Sequence, residues 1–96
     1  AFPNLAKIVA LAAACTEAIV HITGHTDSSG SEVWNQHLSL KRAAAVGDYI
    51  RLQGIGTDRL RISGAGASSP IATNATRYGR GFNRRIEIEF RSTPAP

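Results

Sequence analysis

The chain has 96 residues, a formal net charge of +4, 43% hydrophobic residues and 19% charged residues. That length allows one domain with one modest core, and the composition is that of a globular chain, not a disordered one. A single cysteine, Cys15, excludes an internal disulfide and any cysteine-based zinc cluster, and no apolar run reaches the roughly eighteen residues of a membrane-spanning helix.

Nine of the eleven cations are arginine, and only Lys7 and Lys41 are lysine. Arginine favours planar, bidentate recognition of carboxylate and phosphate groups. The partner classes this opens are a cell-wall polymer, a nucleic acid or an acidic protein face, beside a merely solvated basic surface.

In chain order, residues 3–14 read as an Ala- and Leu-rich helix with Pro3 at its start, where a missing N–H costs little. Leu5, Ile8, Val9, Ala12 and Cys15 form its apolar face, so Cys15 is expected to be a buried small hydrophobe. Lys7 and the apolar run ending at Cys15 also resemble a short lipoprotein signal, but the run is minimal and a strand follows almost at once. Residues 18–24, with Ile19, Val20, Ile22 and Thr23, read as an interior strand apolar on both faces. Residues 24–31 are a polar, glycine-bounded loop. Ser29-Gly30-Ser31-Glu32 fits a capping box, which predicts a short helical turn over 33–37.

Ser39 is expected to cap a second helix running to about Gln53, with Ala43, Val46, Ile50 and Tyr49 as its buried stripe and Gly54 ending it. Arg42 then lies in a first helical turn, near unpaired N–H groups and the positive end of the dipole. Residues 60–63 alternate as a strand after the turn at Gly56-Thr57-Asp58, and 64–76 form a Gly/Ala/Ser/Pro loop. Residues 77–83 read as a short helix or turn. Residues 85–91 alternate strictly: Ile86, Ile88 and Phe90 face a core, while Arg85, Glu87, Glu89 and Arg91 face solvent. The pattern predicts one α/β (α+β) domain over 1–91 and a tail over 92–96. It is a two-layer sandwich, with a mixed sheet and helices packed on one face.

Most local motifs carry little chemistry. His21, His25 and His37 lack an acid-rich shell, so no metal is expected. A Ser/His/Asp set from Asp27, His25 and any of Ser28, Ser29 or Ser31 is crowded into one segment, without a nucleophile elbow, and no enzyme is expected. Gly64-Ala65-Gly66-Ala67-Ser68-Ser69 lacks the Lys-Ser/Thr of a phosphate loop and reads as a turn that needs small residues. Arg77, Arg80, Arg84 and Arg85 interleave with Tyr78 and Phe82, but form no legible stacking platform for nucleic acid.

The informative pair is Asp27 and Arg42, one acid in a polar turn and one arginine at a helix start. An amino-acid head group needs one acceptor-only group and one planar double donor, and a carboxylate and a guanidinium supply them. The alternative for the same two residues is a structural Asp27–Arg42 salt bridge.

Five blocks in order carry a resemblance. They are Ile22-Thr23-Gly24-His25-Thr26-Asp27-Ser28-Ser29-Gly30-Ser31; Asn35-Gln36-His37-Leu38-Ser39-Leu40-Lys41-Arg42-Ala43; Gly54-Ile55; Gly64-Ala65-Gly66 with Ser69-Pro70-Ile71-Ala72-Thr73-Asn74; and Gly79-Arg80-Gly81-Phe82-Asn83-Arg84-Arg85-Ile86-Glu87-Ile88. Together they resemble the OmpA-like peptidoglycan-binding domains. The resemblance implies a β-α-β-α-β-α-β fold in the Gram-negative periplasm, at the outer membrane or cell wall. It implies non-covalent binding of peptidoglycan through the diaminopimelate of its stem peptide, with no catalysis and no cofactor. Asp27 would hold the ammonium of diaminopimelate and Arg42 its carboxylate, while Thr26, Asn35, Leu38 and Arg84 would line the pocket. Asn83 would fix the turn before the last strand.

Relative to that pattern the family's first strand is missing, which leaves an exposed sheet edge open to dimerisation. Membrane attachment would run through a tether outside these residues. The competing reading is a protein-interaction module of the same fold, with a vestigial pocket and an acidic protein partner.

Overall fold

The computed structural model describes residues 4–92 and orders them as α1 (Leu5–Ala14), β1 (Ala18–His25), α2 (Glu32–Leu52), a 3-10 turn (Thr57–Arg59), β2 (Leu60–Gly64), α3 (Arg77–Asn83) and β3 (Arg85–Ser92). Pro3 and the tail beyond Ser92 lie outside the described residues. The sheet order is β2-β1-β3, with β2 parallel and β3 antiparallel to β1. β1 is therefore the interior strand, in a mixed sheet.

Register explains the layering. Residues opposite one another share a face. Val20 stands between Leu60 and Phe90, Ile22 between Ile62 and Ile88, and Gly24 opposite Ile86. These side chains make one apolar face, and Ala12, Ala43, Val46 and Ile50 of the helices join them in a single core. The opposite face is polar: His21 lies between Arg61 and Glu89, and the Thr23 and Ser63 hydroxyls meet at 3.1 Å. β1 is thus apolar mainly on one face, which corrects the two-faced reading. One covered and one open sheet face make the expected two-layer sandwich.

Several local expectations change. α1 is capped by Asn4, whose side chain accepts from the Lys7 N–H. It ends at Ala14, and Cys15 departs from helical geometry at φ −102°, ψ 68°, so the apolar stripe does not reach it. Cys15 is exposed, not buried. The two helices expected over 33–53 are one helix of 21 residues, α2. Its N-cap is Ser31, accepting from Trp34 at 3.1 Å, so Ser29 and Glu32 form no capping box. Nothing between Leu38 and Lys41 breaks a helix, and chain length favours continuing one already nucleated. Ser39 is fully buried inside it. Tyr49 is 40% exposed and falls off the buried stripe of Ala43, Val46 and Ile50. Gly54, at φ +101°, occupies the left-handed position after the helix as expected.

α2 lies very close to the sheet. A Cβ on Gly24 would collide with the Ser39 carbonyl oxygen, and one on Gly64 would come within 2.5 Å of the Leu40 nitrogen. Glycine at these two points lets the helix backbone rest on the ends of β1 and β2. That contact positions the loops beyond both strands beside the start of α2. Among the described residues β3 pairs only with β1, so its other edge carries no strand.

Candidate functional site

The end of β1 and the loop after it turn polar side chains inward. His25, Thr26 and Asp27 are 5%, 5% and 7% exposed. The Thr26 N–H donates to the Gly66 carbonyl at 2.8 Å, and the Gly66 N–H donates to the Ser39 hydroxyl oxygen at 2.9 Å. That hydroxyl in turn donates to the Gln36 carbonyl at 2.9 Å. Ser39, expected as a helix cap, instead joins α2 to the loops after β1 and β2.

Asp27 is held from two sides. Its Oδ1 accepts the Ser29 N–H at 2.8 Å, closing an Asx turn, and its Oδ2 accepts from Arg84 Nη1 at 2.6 Å. Burial pushes the Asp27 carboxyl pKa up, but the Ser29 N–H and the Arg84 guanidinium outweigh it, and the pKa lies below the ordinary value. A carboxylate has about four acceptor sites. The Ser29 hydroxyl acts on the carboxylate as well, and of the roughly four sites one is left for another donor.

His25 Nε2 lies 3.0 Å from Glu87 Oε1, while its buried Nδ1 has no partner among the described residues. Burial and the nearby Arg85 lower the His25 pKa, against the opposing pull of Glu87. A neutral ring with its proton on Nε2 fits this geometry, since a second proton would leave a buried Nδ1–H unbonded. The Thr26 hydroxyl is likewise buried without a partner.

The second wall is the loop before α3. Asn83 is fully buried. Its Oδ1 accepts the N–H groups of Ile71 and Ala72 at 2.8 and 3.0 Å, and its Nδ2 donates to Ala72 O and Asn74 Oδ1, both at 2.9 Å. Asn74 Oδ1 also accepts the Ser28 N–H at 3.3 Å. Asn83 therefore fastens residues 71–74, not the turn before β3, and through Asn74 it reaches the Asp27 loop. Arg85, expected to face solvent, keeps only a tenth of its side chain exposed and donates to Ser69 O and Glu87. Asn74 and Ser39 are the residues whose roles sequence reasoning missed. Both stand within the quoted blocks, and the short polar types there were the only signal.

On α2, Asn35, Leu38 and Arg42 fall at i, i+3 and i+7, hence on one stripe. Asn35 is 4% exposed; Leu38 and Arg42 are half-buried, and Leu38 stands outside the main core. Arg42 is in the middle of the helix, well beyond the first turn, so the dipole and the unpaired N–H groups of the N-terminus do not act on it. The reason is the fused helix. Asp27 pairs with Arg84 and not with Arg42, and the Arg42 guanidinium has no hydrogen bond or ion pair with any described residue. Between the first loop and the start of α2 opens a cleft of about 460 Å³, lined by Ser28, Gly30, Glu32, Asn35, Gln36 and residues 64–68.

The profile of the OmpA family matches residues 2–84. Peptidoglycan-binding protein ArfA of Mycobacterium tuberculosis is 48% identical over 75 residues, covering 78% of this chain and 23% of ArfA. Outer membrane protein A of Bordetella avium is 46% identical over 74 residues, covering 77% of this chain and 38% of that protein. The chain thus spans well under half the length of these relatives. The crystal structure of the peptidoglycan-associated lipoprotein from Burkholderia pseudomallei superposes with a TM-score of 0.86 at 25% identity, over 91% of this chain and 74% of that one. The C-terminal domain of Helicobacter pylori MotB superposes with a TM-score of 0.78 at 25% identity, over 93% of this chain and 72% of that one.

Proposed function

The chain belongs to the OmpA family, and we propose that it binds peptidoglycan non-covalently through the diaminopimelate of the stem peptide, as an anchor of an envelope protein to the cell wall. The observation that carries this reading is the unequal state of its two charges. Asp27 is buried, ionised and held by Ser29 and Arg84, while Arg42, a half-buried residue, has no side-chain partner among the described residues. An arginine whose stem packs against the fold while its charged head stays unpaired is available to a ligand anion. Side chains on a helix lean toward its N-terminus, a direction that would carry Arg42 toward the Leu38 turn and Asn35. A zwitterionic head would place its ammonium on Asp27, beside or in place of Arg84, and its carboxylate on Arg42. Asn35, Leu38 and Thr26 would supply the walls, the buried Thr26 hydroxyl having no partner among the described residues. Nothing in this role calls for bond making, and the site is read as non-enzymatic.

Two charge-assisted contacts contribute roughly 1.5–3 kcal/mol each, less the cost of ordering and desolvation. A single site then binds with Kd on the order of 10 μM to 1 mM. Tethering beside a polymer that repeats the ligand makes so weak a site sufficient.

One observation favours a second reading, a protein-interaction module. Ile71, Tyr78 and Phe82 are 62%, 85% and 64% exposed and line a groove of about 400 Å³ with Arg77 and Arg85, which suits an acidic, apolar protein segment. Pull-down on purified sacculi separates the two. Asp27→Ala and Arg42→Ala, each checked for folding by circular dichroism, are expected to lose sacculus binding at least tenfold, about 1.4 kcal/mol, while Tyr78→Ala keeps it. Unchanged binding in both folded charge variants would sink the anchor reading.

A further inference from the structure

α3 carries two glycines, and the fold explains only one of them. A Cβ on Gly79 would strike the Thr73 carbonyl, so glycine there lets the helix lie against residues 71–74. A Cβ on Gly81 would meet only the tip of Arg84, at an ordinary 3.6 Å. Gly81 also lacks the positive φ that would call for glycine. It sits inside the helix, where glycine costs propensity against alanine. Gly81 lines the groove of Ile71, Tyr78 and Phe82. A glycine that the fold does not need, in the wall of an exposed groove, admits the close approach of another backbone.

Tyr78 and Phe82 lie four residues apart, on one stripe of α3, and expose most of their surface. Their charge setting is one-sided. No acid occurs between Asp58 and Glu87, whereas Arg77, Arg80, Arg84 and Arg85 all fall in that stretch. Arg85 is spent on Glu87 and the Ser69 carbonyl, and Arg84 on Asp27. Arg77, in the groove lining, is exposed and has no partner among the described residues. The groove thus offers apolar surface, a bare stretch of helix and one open guanidinium, with no carboxylate in its lining. Aromatic and arginine side chains of this kind anchor protein partners, and the charge selects an acidic one. An anionic membrane surface matches less well, because polybasic attachment takes a cluster of about four to eight cations. The seven residues of α3 span about 10 Å, the reach of about three residues of extended chain.

We propose that the α3 groove docks a short, extended, acidic segment of a partner protein. Its backbone crosses Gly81, an apolar side chain enters between Ile71, Tyr78 and Phe82, and an Asp or Glu meets Arg77. The proposal rests on the groove as an interaction face. No lining residue belongs to the stem site, so it stands whether or not peptidoglycan binds at Asp27.

A library of random decapeptides displayed on phage, selected on the intact chain, tests it. Enriched peptides are expected to carry Leu, Ile, Phe or Tyr flanked by Asp or Glu. A labelled synthetic peptide of the enriched sequence should bind with Kd on the order of 10 μM to 1 mM. By fluorescence anisotropy, Phe82→Ala and Arg77→Glu should each weaken it at least about fivefold. Gly81→Gln favours the helix and has space for its Cβ, so it should keep the circular dichroism spectrum and weaken the peptide likewise. All three variants should keep sacculus binding. No enrichment, enrichment of neutral or basic peptides, or a peptide that Gly81→Gln holds as tightly as the parent chain overturns the proposal. Three other results would replace the proposed occupant. Co-sedimentation with phosphatidylglycerol vesicles that Phe82→Ala abolishes would assign the groove to a membrane surface. A dimer that Phe82→Ala dissolves would assign it to a second copy, and loss of sacculus binding in the folded groove variants would assign it to the cell wall.

Discussion

Asp27 and His25 set opposite ionisation requirements within three residues of β1's end. The Asp27 pKa is lowered in the fold, so its contribution to stability is complete above the unfolded value of about 3.9 and is lost as pH falls through the lower folded value. The His25 pKa is also lowered, by burial and Arg85. The unfolded chain then takes up a proton near pH 6.5 that the folded chain resists, and stability falls as pH drops from about 6.5 toward the folded value. Thermal melts between pH 7.5 and pH 5 should therefore show a decline that His25→Gln flattens and Asp27→Asn does not. A decline of equal size in His25→Gln would remove His25 from the account. The sequence marked Asp27 as the acid of interest, but its partner could not be read from it. Arg84 lies 57 residues away, and only the closure of β3 onto β1 brings the two together.

Among the elements, α2 shows how a local reading fails through competition. Ser39 has the chemistry of an N-cap, and sequence reasoning gave it that task. In the fold its hydroxyl already bonds Gln36 O and the Gly66 N–H, so the helix runs straight through it. Two glycines of the same helix–sheet contact should answer substitution differently. Gly24→Ala drives a methyl into the Ser39 carbonyl, which is backbone and cannot swing aside, and should cost about 3 kcal/mol or more. Gly47→Ala meets the Ile62 Cδ1 methyl at 2.6 Å, a side-chain tip that can turn away, and gains up to about 1 kcal/mol of helix propensity. Urea denaturation should find the second variant within about 1 kcal/mol of the parent chain. Equal destabilisation of the two would show that α2 does not ride on β1 as closely as described.

For the molecule as a whole, the thin sheet concentrates its consequences at β3. Its Ile88 and Phe90 are only half-buried in the core, and its outer edge pairs with no described strand. Charges interrupt the solvent face of that edge, with Arg85 on Glu87 and Arg91 on Glu89, a pattern that weakens but does not abolish edge pairing. Sedimentation velocity of this chain should show a weak dimer that grows with concentration. A strict monomer across the accessible range would mean that the paired charges guard the edge fully.

Sequence alone determined the elements whose signals are local and periodic. The alternation of Arg85 to Arg91 made β3, the apolar run from Ile19 made the central strand, and Gly54 ended α2. The ordered blocks pointed to the family, because they carry the glycines and short polar residues that close backbone approaches require. Tertiary structure alone decided which charges meet. Asp27 found Arg84, Arg42 found no partner among the described residues, and Asn83 fastened a loop eleven residues upstream. Such pairings depend on which loops the sheet register and the α2 crossing bring side by side, and no window of consecutive residues contains that distance information.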